Sequence, residues 1–467
     1  MTCSGGTCSP TAAKAVLNVG DLESLLASGA VTVTTTGSGV QAGDIRVDAP
    51  LSWSSTNTLT LNAYQSIEID QQISALGAGG ITLNTQPGVP LYFNRKGRIT
   101  FADLASPLTV NNTYYTLVNN IATLAADIAN NPRFPGGNYA LANDYDASID
   151  GTYASPPIAD YETGTVLGLG NAISNLAIDD PTPGANVGLF AFIGEAEGPY
   201  VLSLKLAHVN VKGGDGSSVG GMVGYSYAHL QYVSVSGRVR GGASSYVGGL
   251  VGQGEQGLIS NSNSSAMVSG SRASFVGGLG GNGSAYASYA TGKVRGGKNA
   301  TAGGLIGDGY AQDSFATGSV SAGSGSYVGG FAGSGSGFNS YATGMVTGGN
   351  DSLVGGFVGF VGGDDQPIYS DPTAFCSYST GKTAGGTGSY VGGYAGELAF
   401  GASDAYWDTT TSGTNVGVGH GNASGVTGLT TAQFQSGLPA GFSKKIWHED
   451  SNINGGLPYL RANPPPS

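Results

Sequence analysis

Over residues 16 to 110 apolar and polar positions alternate, as in Ala30-Val31-Thr32-Val33-Thr34, Asp44-Ile45-Arg46-Val47-Asp48, Thr58-Leu59-Thr60-Leu61-Asn62, Ser66-Ile67-Glu68-Ile69-Asp70 and Gly80-Ile81-Thr82-Leu83-Asn84. A period of two predicts half-buried strands. One short helix is expected at 21 to 28, where Asp21-Leu22-Glu23-Ser24-Leu25-Leu26 follows Gly20. The period lengthens at 116 to 131, where Leu117, Ile121, Leu124, Ala125 and Ile128 share a helical face and Asn130-Asn131-Pro132 stops the run. Residues 132 to 180, with Asp144, Asp146, Asp150 and Pro156-Pro157, read as a loop-rich insertion.

Beyond residue 180 the chain repeats. Val-Gly-Gly-apolar-x-Gly begins at Val219, Val247, Val276, Val328, Val354 and Val391, with the variant Ala302-Gly303-Gly304-Leu305-Ile306-Gly307 and a looser relative at Val187. The first glycines fall at 220, 248, 277, 303, 329, 355 and 392, steps of 28, 29, 26, 26, 26 and 37. A second phase, Ser-aromatic-Ala-Thr-Gly, places rings at Tyr289, Phe315, Tyr341 and, with Ser379 in place of Ala, Tyr378. Apolar pieces of three to six residues broken by glycine are too short for helices and read as strands. One such unit cannot bury its own apolar face, so the units must stack, each strand pairing with its counterpart about 4.8 Å away in the next coil. The expected architecture is all-β: a single-stranded parallel β-helix, or β-solenoid, with short helical and loop insertions. The expected divisions are N-terminal coils over 1–115, a helix-plus-loop insertion over 116–180, the Gly-rich repeats over 181–410, and a C-terminal cap and tail over 411–467. The cap is expected because an open last coil leaves an unpaired edge, and a short helix is expected near 431 to 435, ahead of a polar Pro-rich tail.

Composition sharpens this. There are 83 glycines in 467 residues but only 19 prolines and no three-residue period, which excludes collagen. Charged residues are only 10%, so Ser, Thr, Asn, Gly and Tyr must cover the surface, a coat suited to glycans or other proteins. The net charge of −12, with no Lys/Arg run longer than Arg95-Lys96-Gly97-Arg98, argues against nucleic acid. No apolar stretch reaches membrane-spanning length. Cys3, Cys8 and Cys376 are too few to hold the fold; a Cys3–Cys8 link would close only a small loop, and otherwise the two read as idle thiols of a frayed terminus, with Cys376 a small buried hydrophobe.

"VLNVGDLESLLASGAVTVTTTGSGVQAGDIRVDAPLSW…" resembles the early β-helix of filamentous-haemagglutinin-like exoproteins exported by two-partner secretion. The repeats are similar to the GLUG motif of such surface proteins, with "TVLGLGNAISNLAI" leading in and "DAYWDTTTSG…TGLTTAQF" leading out. The resemblance spans about residues 16 to 440. It implies a right-handed β-helix, secretion to the bacterial cell surface through an outer-membrane transporter, and an export-signal domain preceding this piece of a longer polypeptide.

Candidate chemistry is sparse. The step of 37 carries 11 residues beyond the usual 26, within Gly362-Gly363-Asp364-Asp365-Gln366-Pro367-Ile368-Tyr369-Ser370-Asp371-Pro372. An insertion on a repeat scaffold maps to a protruding loop, where Asp364, Asp365 and Asp371 are the candidate acid/base carboxylates if the chain cleaves a glycan. Glu195 and Glu197 form a second carboxylate pair. His208, His229, His420 and His448 lack paired spacing, and Asp144, Asp146 and Asp150 lack the glycine and closing glutamate of a calcium loop, so neither metal nor cofactor is expected. Aromatic columns are the better candidates: one is Tyr246, Phe275, Tyr327 and Tyr390, each directly before Val-Gly-Gly, and the other is the second-phase set. If exposed rather than stacked inside the core, as both columns could be, Tyr289, Phe315, Tyr341 and Tyr378 of the latter, together with Tyr369 of the inserted loop, are the expected ligand-binding rings, on which sugars stack. The expected role is a secreted adhesin-like solenoid that contacts glycans, matrix or other cell-surface proteins many times over. A polysaccharide-cleaving enzyme on the same scaffold, and a passive spacer, are the alternatives.

Overall fold

A computed structural model describes residues 1–94, 96–131, 136–194, 200–362 and 376–466. The chain is mostly β, with long parallel sheets stacked as in a β-solenoid and few helices. It divides into two units: Met1–Asp146 with Thr163–Ile173 and Val201–Lys205, and Ala147–Glu162 with Ser174–Tyr200 and Leu206–Ser467.

In the first unit the alternating segments stack in parallel along three faces. One face runs Val31–Thr34, Leu59–Asn62, Ile81–Asn84 and Leu108–Val110, with Val31, Leu59, Ile81 and Leu108 in one register and buried. Ile45–Val47, Ile67–Ile69 and Leu91–Phe93 form the second face, and Leu51–Trp53, Gln72–Ala75 and Arg98–Phe101 the third. The helix expected at 21 to 28 is Val19–Ser28, capped by the Asn18 side chain, with Leu22 and Leu26 in the core. The terminus before it is not frayed: Thr2–Ser4 and Thr7–Ser9 form a hairpin turned by Gly5 and Gly6 at φ 57° and 78°, and Cys3 and Cys8 are disulfide-bonded. Two glycines in the left-handed region make the tight turn that brings the two thiols opposite one another.

Residues 116 to 131 split between two structures, a strand over Thr113–Val118 and a helix over Ile121–Ala129. The boundary lies at Asn120, whose side chain accepts the Thr123 N–H at 2.7 Å and so starts the helix later than its apolar face suggests. Nor is 139 to 180 an insertion. Tyr139–Leu141 pairs with Thr116–Val118 and with Thr165–Leu167 in the first unit, while Thr152–Tyr153 pairs with Ala177–Asp180 and Ile158–Tyr161 with Phe190–Ile193 in the second. These strands of two to four residues are too short for a period of two to register in sequence.

The second unit is the stack that the repeat demands. Each coil contributes to three sheets. The box face holds the Val-Gly-Gly strands, with Val219, Val247, Val276, Ala302, Val328, Val354 and Val391 in one register. The long face follows, where Phe190, Val223, Val251, Gly280, Ile306, Ala332, Val358, Ala395 and Val418 succeed one another. The ring face carries the second phase, with Val239, Val268, Val294, Val320 and Val346 inward.

Glycine is required where backbones touch. A Cβ on Gly333 of the long face would lie 2.6 Å from the Ala302 nitrogen, and one on Gly252, Gly281, Gly307, Gly359 or Gly396 would meet the box strand in the same way. Two sheets therefore pack backbone on backbone, which no larger residue permits. Inside, Phe331 and Phe357 stack with ring centroids 4.7 Å apart, and Gly337 leaves them room: its Cβ would fall 2.6 Å from Phe331. Buried serines tie coil to coil at two corners. Ser262, Ser288 and Ser314 each donate a backbone N–H to the next serine hydroxyl, at 3.1, 3.1 and 3.2 Å, and Ser217, Ser245, Ser326 and Ser352 do likewise at 3.0 to 3.2 Å. Trp407 fills the interior of the last coils, where Cβ atoms on Gly393, Gly417 and Gly428 would strike its ring.

Candidate functional site

Period two makes both aromatic columns point outward, because each ring precedes a buried residue of its strand. The structure covers one of them. Tyr289, Phe315, Tyr341 and Tyr378 stack at centroid distances of 4.8, 4.9 and 5.2 Å, and the C-terminal segment lies over them. Phe315, Tyr341 and Tyr378 have no exposure and Tyr289 is half-buried. Phe434 and Trp447 pack 5.3 and 5.9 Å from Tyr378, Phe442 packs on Tyr406, and Leu460 joins the same cluster. Polar contacts fix the segment: Asn454 donates to the Tyr378 hydroxyl at 2.9 Å, Tyr378 donates to the Pro458 carbonyl, and Tyr406 donates to the Ala440 carbonyl at 2.9 Å. Burial drives the Tyr341 and Tyr378 phenols well above their ordinary range. The expectation that Phe315, Tyr341 and Tyr378 offer rings to a ligand is thus corrected: the chain's own C-terminus occupies the place a ligand would take. Tyr369, Asp364, Asp365 and Asp371 lie outside the described residues, as do Glu195 and Glu197.

The other column is open. Tyr246 and Phe275 stack at 4.9 Å, and Tyr327 and Tyr390 are 38% and 47% exposed. Beside it runs a second outward row on the long face: Tyr225, Gln253, Asn282, Asp308, Ser334, Phe360, Glu397 and His420, in one register and none of them buried. The two rows meet, because Tyr327 stacks on Phe360 at 4.9 Å and Tyr390 lies 4.7 Å from His420. Together they make a strip of rings interspersed with amides, hydroxyls and carboxylates. Asn282 donates to Asp308 at 3.2 Å, and His420 sits 3.4 Å from Glu397. At one end Phe192 stacks on Tyr225 at 5.8 Å; the Tyr225 and Tyr227 hydroxyls are 3.1 Å apart, and Tyr227 donates to Glu255 at 3.3 Å. Burial, then the Tyr227 hydrogen bond, raises the Tyr225 phenol.

The second row has a sequence signal that the motif reading passed over. From Tyr225 to Glu397 each member lies six residues after the first residue of its Val-Gly-Gly box. Its residue types vary from coil to coil, so it does not announce itself as a repeat.

Elsewhere the described residues offer little for chemistry. Asp144 is held by Arg98 at 2.6 Å and accepts the Ala172 N–H, and Asp215 accepts the Ala243 N–H at 2.7 Å; both are structural. Among the described residues no group of three His, Cys, Asp or Glu could hold a metal. An open cleft of about 350 Å³ in the first unit is bordered by Thr36, Asn62, Tyr64, Thr85, Gln86 and Pro87, and has no Asp, Glu or His on its walls. No described helix is long and apolar enough to cross a membrane.

No family model matches the chain, and no curated protein matches it. Among solved structures, one named as a "putative immunoglobulin A1 protease from Bacteroides ovatus" is similar over 75% of this chain and 93% of that one, at 16% identity and a TM-score of 0.42.

Proposed function

We propose that the second unit is a passive contact surface of a secreted, adhesin-like exoprotein, and that it binds glycans through the open ring strip. The observation that carries this reading is the pairing of Tyr327 with Phe360 and of Tyr390 with His420 across two exposed rows, flanked by Asn282, Asp308 and Glu397. Stacked rings with amides and carboxylates alongside are what the apolar face and the hydroxyls of a sugar need. Recurrence along successive coils makes each weak contact count several times. Export is supported by the Cys3–Cys8 disulfide, which persists in oxidising surroundings, and by the resemblance to two-partner-secretion exoproteins and their GLUG repeats.

Glycan arrays run beside reducing-sugar assays on the same polysaccharides test the proposal. Binding without turnover, weakened about tenfold or more when Tyr327→Ala and Phe360→Ala remove two stacking platforms, supports it. Turnover that disappears in Asp364→Asn or Asp365→Asn would establish the enzyme instead.

A further inference from the structure

The sequence has no dense basic run, yet the fold builds one. Every Lys and Arg between residues 206 and 400 stands on the ring face or on the corner that follows it. The long face carries Glu255, Asp308 and Glu397 instead. Two outward columns flank the buried valines of the ring face. One reads Arg240, Ser269, Arg295, Ser321 and Thr347. On the other side of the same valines lie Arg238, Met267, Lys293, Ser319, Met345 and Lys382, each paired through the adjoining backbone hydrogen bonds. On the neighbouring corner Arg272 and Lys298 follow one another in successive coils. Six cations, Arg238, Arg240, Arg272, Lys293, Arg295 and Lys298, thus gather in three consecutive coils. All six are exposed, and none forms a salt bridge among the described residues. The segments 234–245, 262–274 and 288–300 that carry them contain no Asp or Glu. In a chain of net charge −12 this segregation is a local reversal of sign.

We propose that this stripe binds a linear acidic polysaccharide lying across the coils. Arg240 and Arg295 stand two coils apart, about 10 Å at the usual strand spacing, with Ser269 between them. Guanidinium groups at that interval grip carboxylate or sulfate groups, while the intervening Ser269, Ser321 and Thr347 hydroxyls meet sugar hydroxyls. Bases would find no platform, because these two columns hold Ser, Thr and Met rather than rings between the cations. The stripe lies on a different face from the open ring strip and does not depend on it.

The test uses polygalacturonate, neutral dextran, a single-stranded oligonucleotide and vesicles of phosphatidylserine in phosphatidylcholine, titrated against the full chain at low and high salt. Polygalacturonate binding that weakens with salt, with dextran inert, is expected. Arg240→Ser with Arg295→Ser installs the residue that the column already carries in neighbouring coils, so the fold is kept; binding should fall about tenfold. Lys444→Ser with Lys445→Ser, which removes equal charge from the C-terminal segment, should leave binding unchanged, as should Tyr327→Ala with Phe360→Ala. The proposal is overturned if polygalacturonate does not bind, if both charge pairs weaken it equally, or if the oligonucleotide or the vesicles bind more tightly.

Discussion

Gly333→Ala isolates the contact that sets how closely the long face and the box face approach. The added methyl would sit 2.6 Å from the Ala302 nitrogen, 2.7 Å from the Gly307 oxygen and 2.9 Å from the Ala302 carbonyl carbon, all backbone atoms held in sheet ladders. Ordinary contact needs more than half an ångström of extra room, and no rotamer change supplies it. The two sheets must part locally, at a cost near the upper end for overpacking, about 3 kcal/mol. Gly254→Ala is the matched control. Its methyl would find nothing closer than the Asn282 oxygen at 3.6 Å, and its backbone φ is not positive. That change should be neutral, or stabilise by about 0.5 kcal/mol through the unfolded chain. Thermal unfolding followed by circular dichroism should therefore show Gly333→Ala melting about 3 to 5 °C below wild type, with Gly254→Ala level with wild type or slightly above. Equal midpoints for the two variants would refute the backbone-on-backbone account.

Two further outcomes concern the C-terminal segment. Trp447→Ala removes a fully buried ring that packs on Tyr341, Tyr378 and Phe442 and should cost about 3 to 5 kcal/mol, freeing the segment first. Limited proteolysis should then cut within 430–466 while the coils resist; unchanged protection would contradict the assigned packing. The same segment should release in alkali. Below about pH 10 the Tyr341 and Tyr378 phenols are neutral in both folded and unfolded chains, so their contribution is intact; above it the unfolded chain ionises while burial resists ionisation in the fold, and stability drains as pH rises. A pH titration of phenolate absorbance alongside Trp fluorescence should show late, cooperative ionisation coincident with release, and early ionisation with the segment still docked would defeat the argument.

The repeat made the stacking legible, since residues 26 apart with the same chemistry have only one way to bury Val on Val and Tyr on Tyr. What it could not show was which ring column stays open. Tyr327 before Val328 and Tyr341 before Ala342 carry the same local signal, an outward ring beside an inward residue. The difference comes from Phe434, Trp447 and Leu460, in a segment whose Asn463 reaches Ser288, 175 residues earlier in the chain. Long-range covering leaves no periodicity. The basic stripe was hidden for a related reason: one to three cations per unit look dilute along the chain, and only stacking gathers them. The strands between 139 and 180 escaped because their pairing partners, not their own patterns, define them.

The C-terminal segment also works as a gauge of length. It leaves the coil of Tyr406 and reaches back until the Asn463 amide touches the Ser288 and Asp313 carbonyls, so its span matches the ring column from Tyr289 to Tyr406. Among the described residues, coils before the one that carries Ser288 and Tyr289 receive none of these contacts, so whole units could be gained or lost there without altering the strap. Any change in coil number beneath the strap would leave it too long or too short, and natural or engineered variation in repeat count should therefore accumulate on the N-terminal side of that boundary.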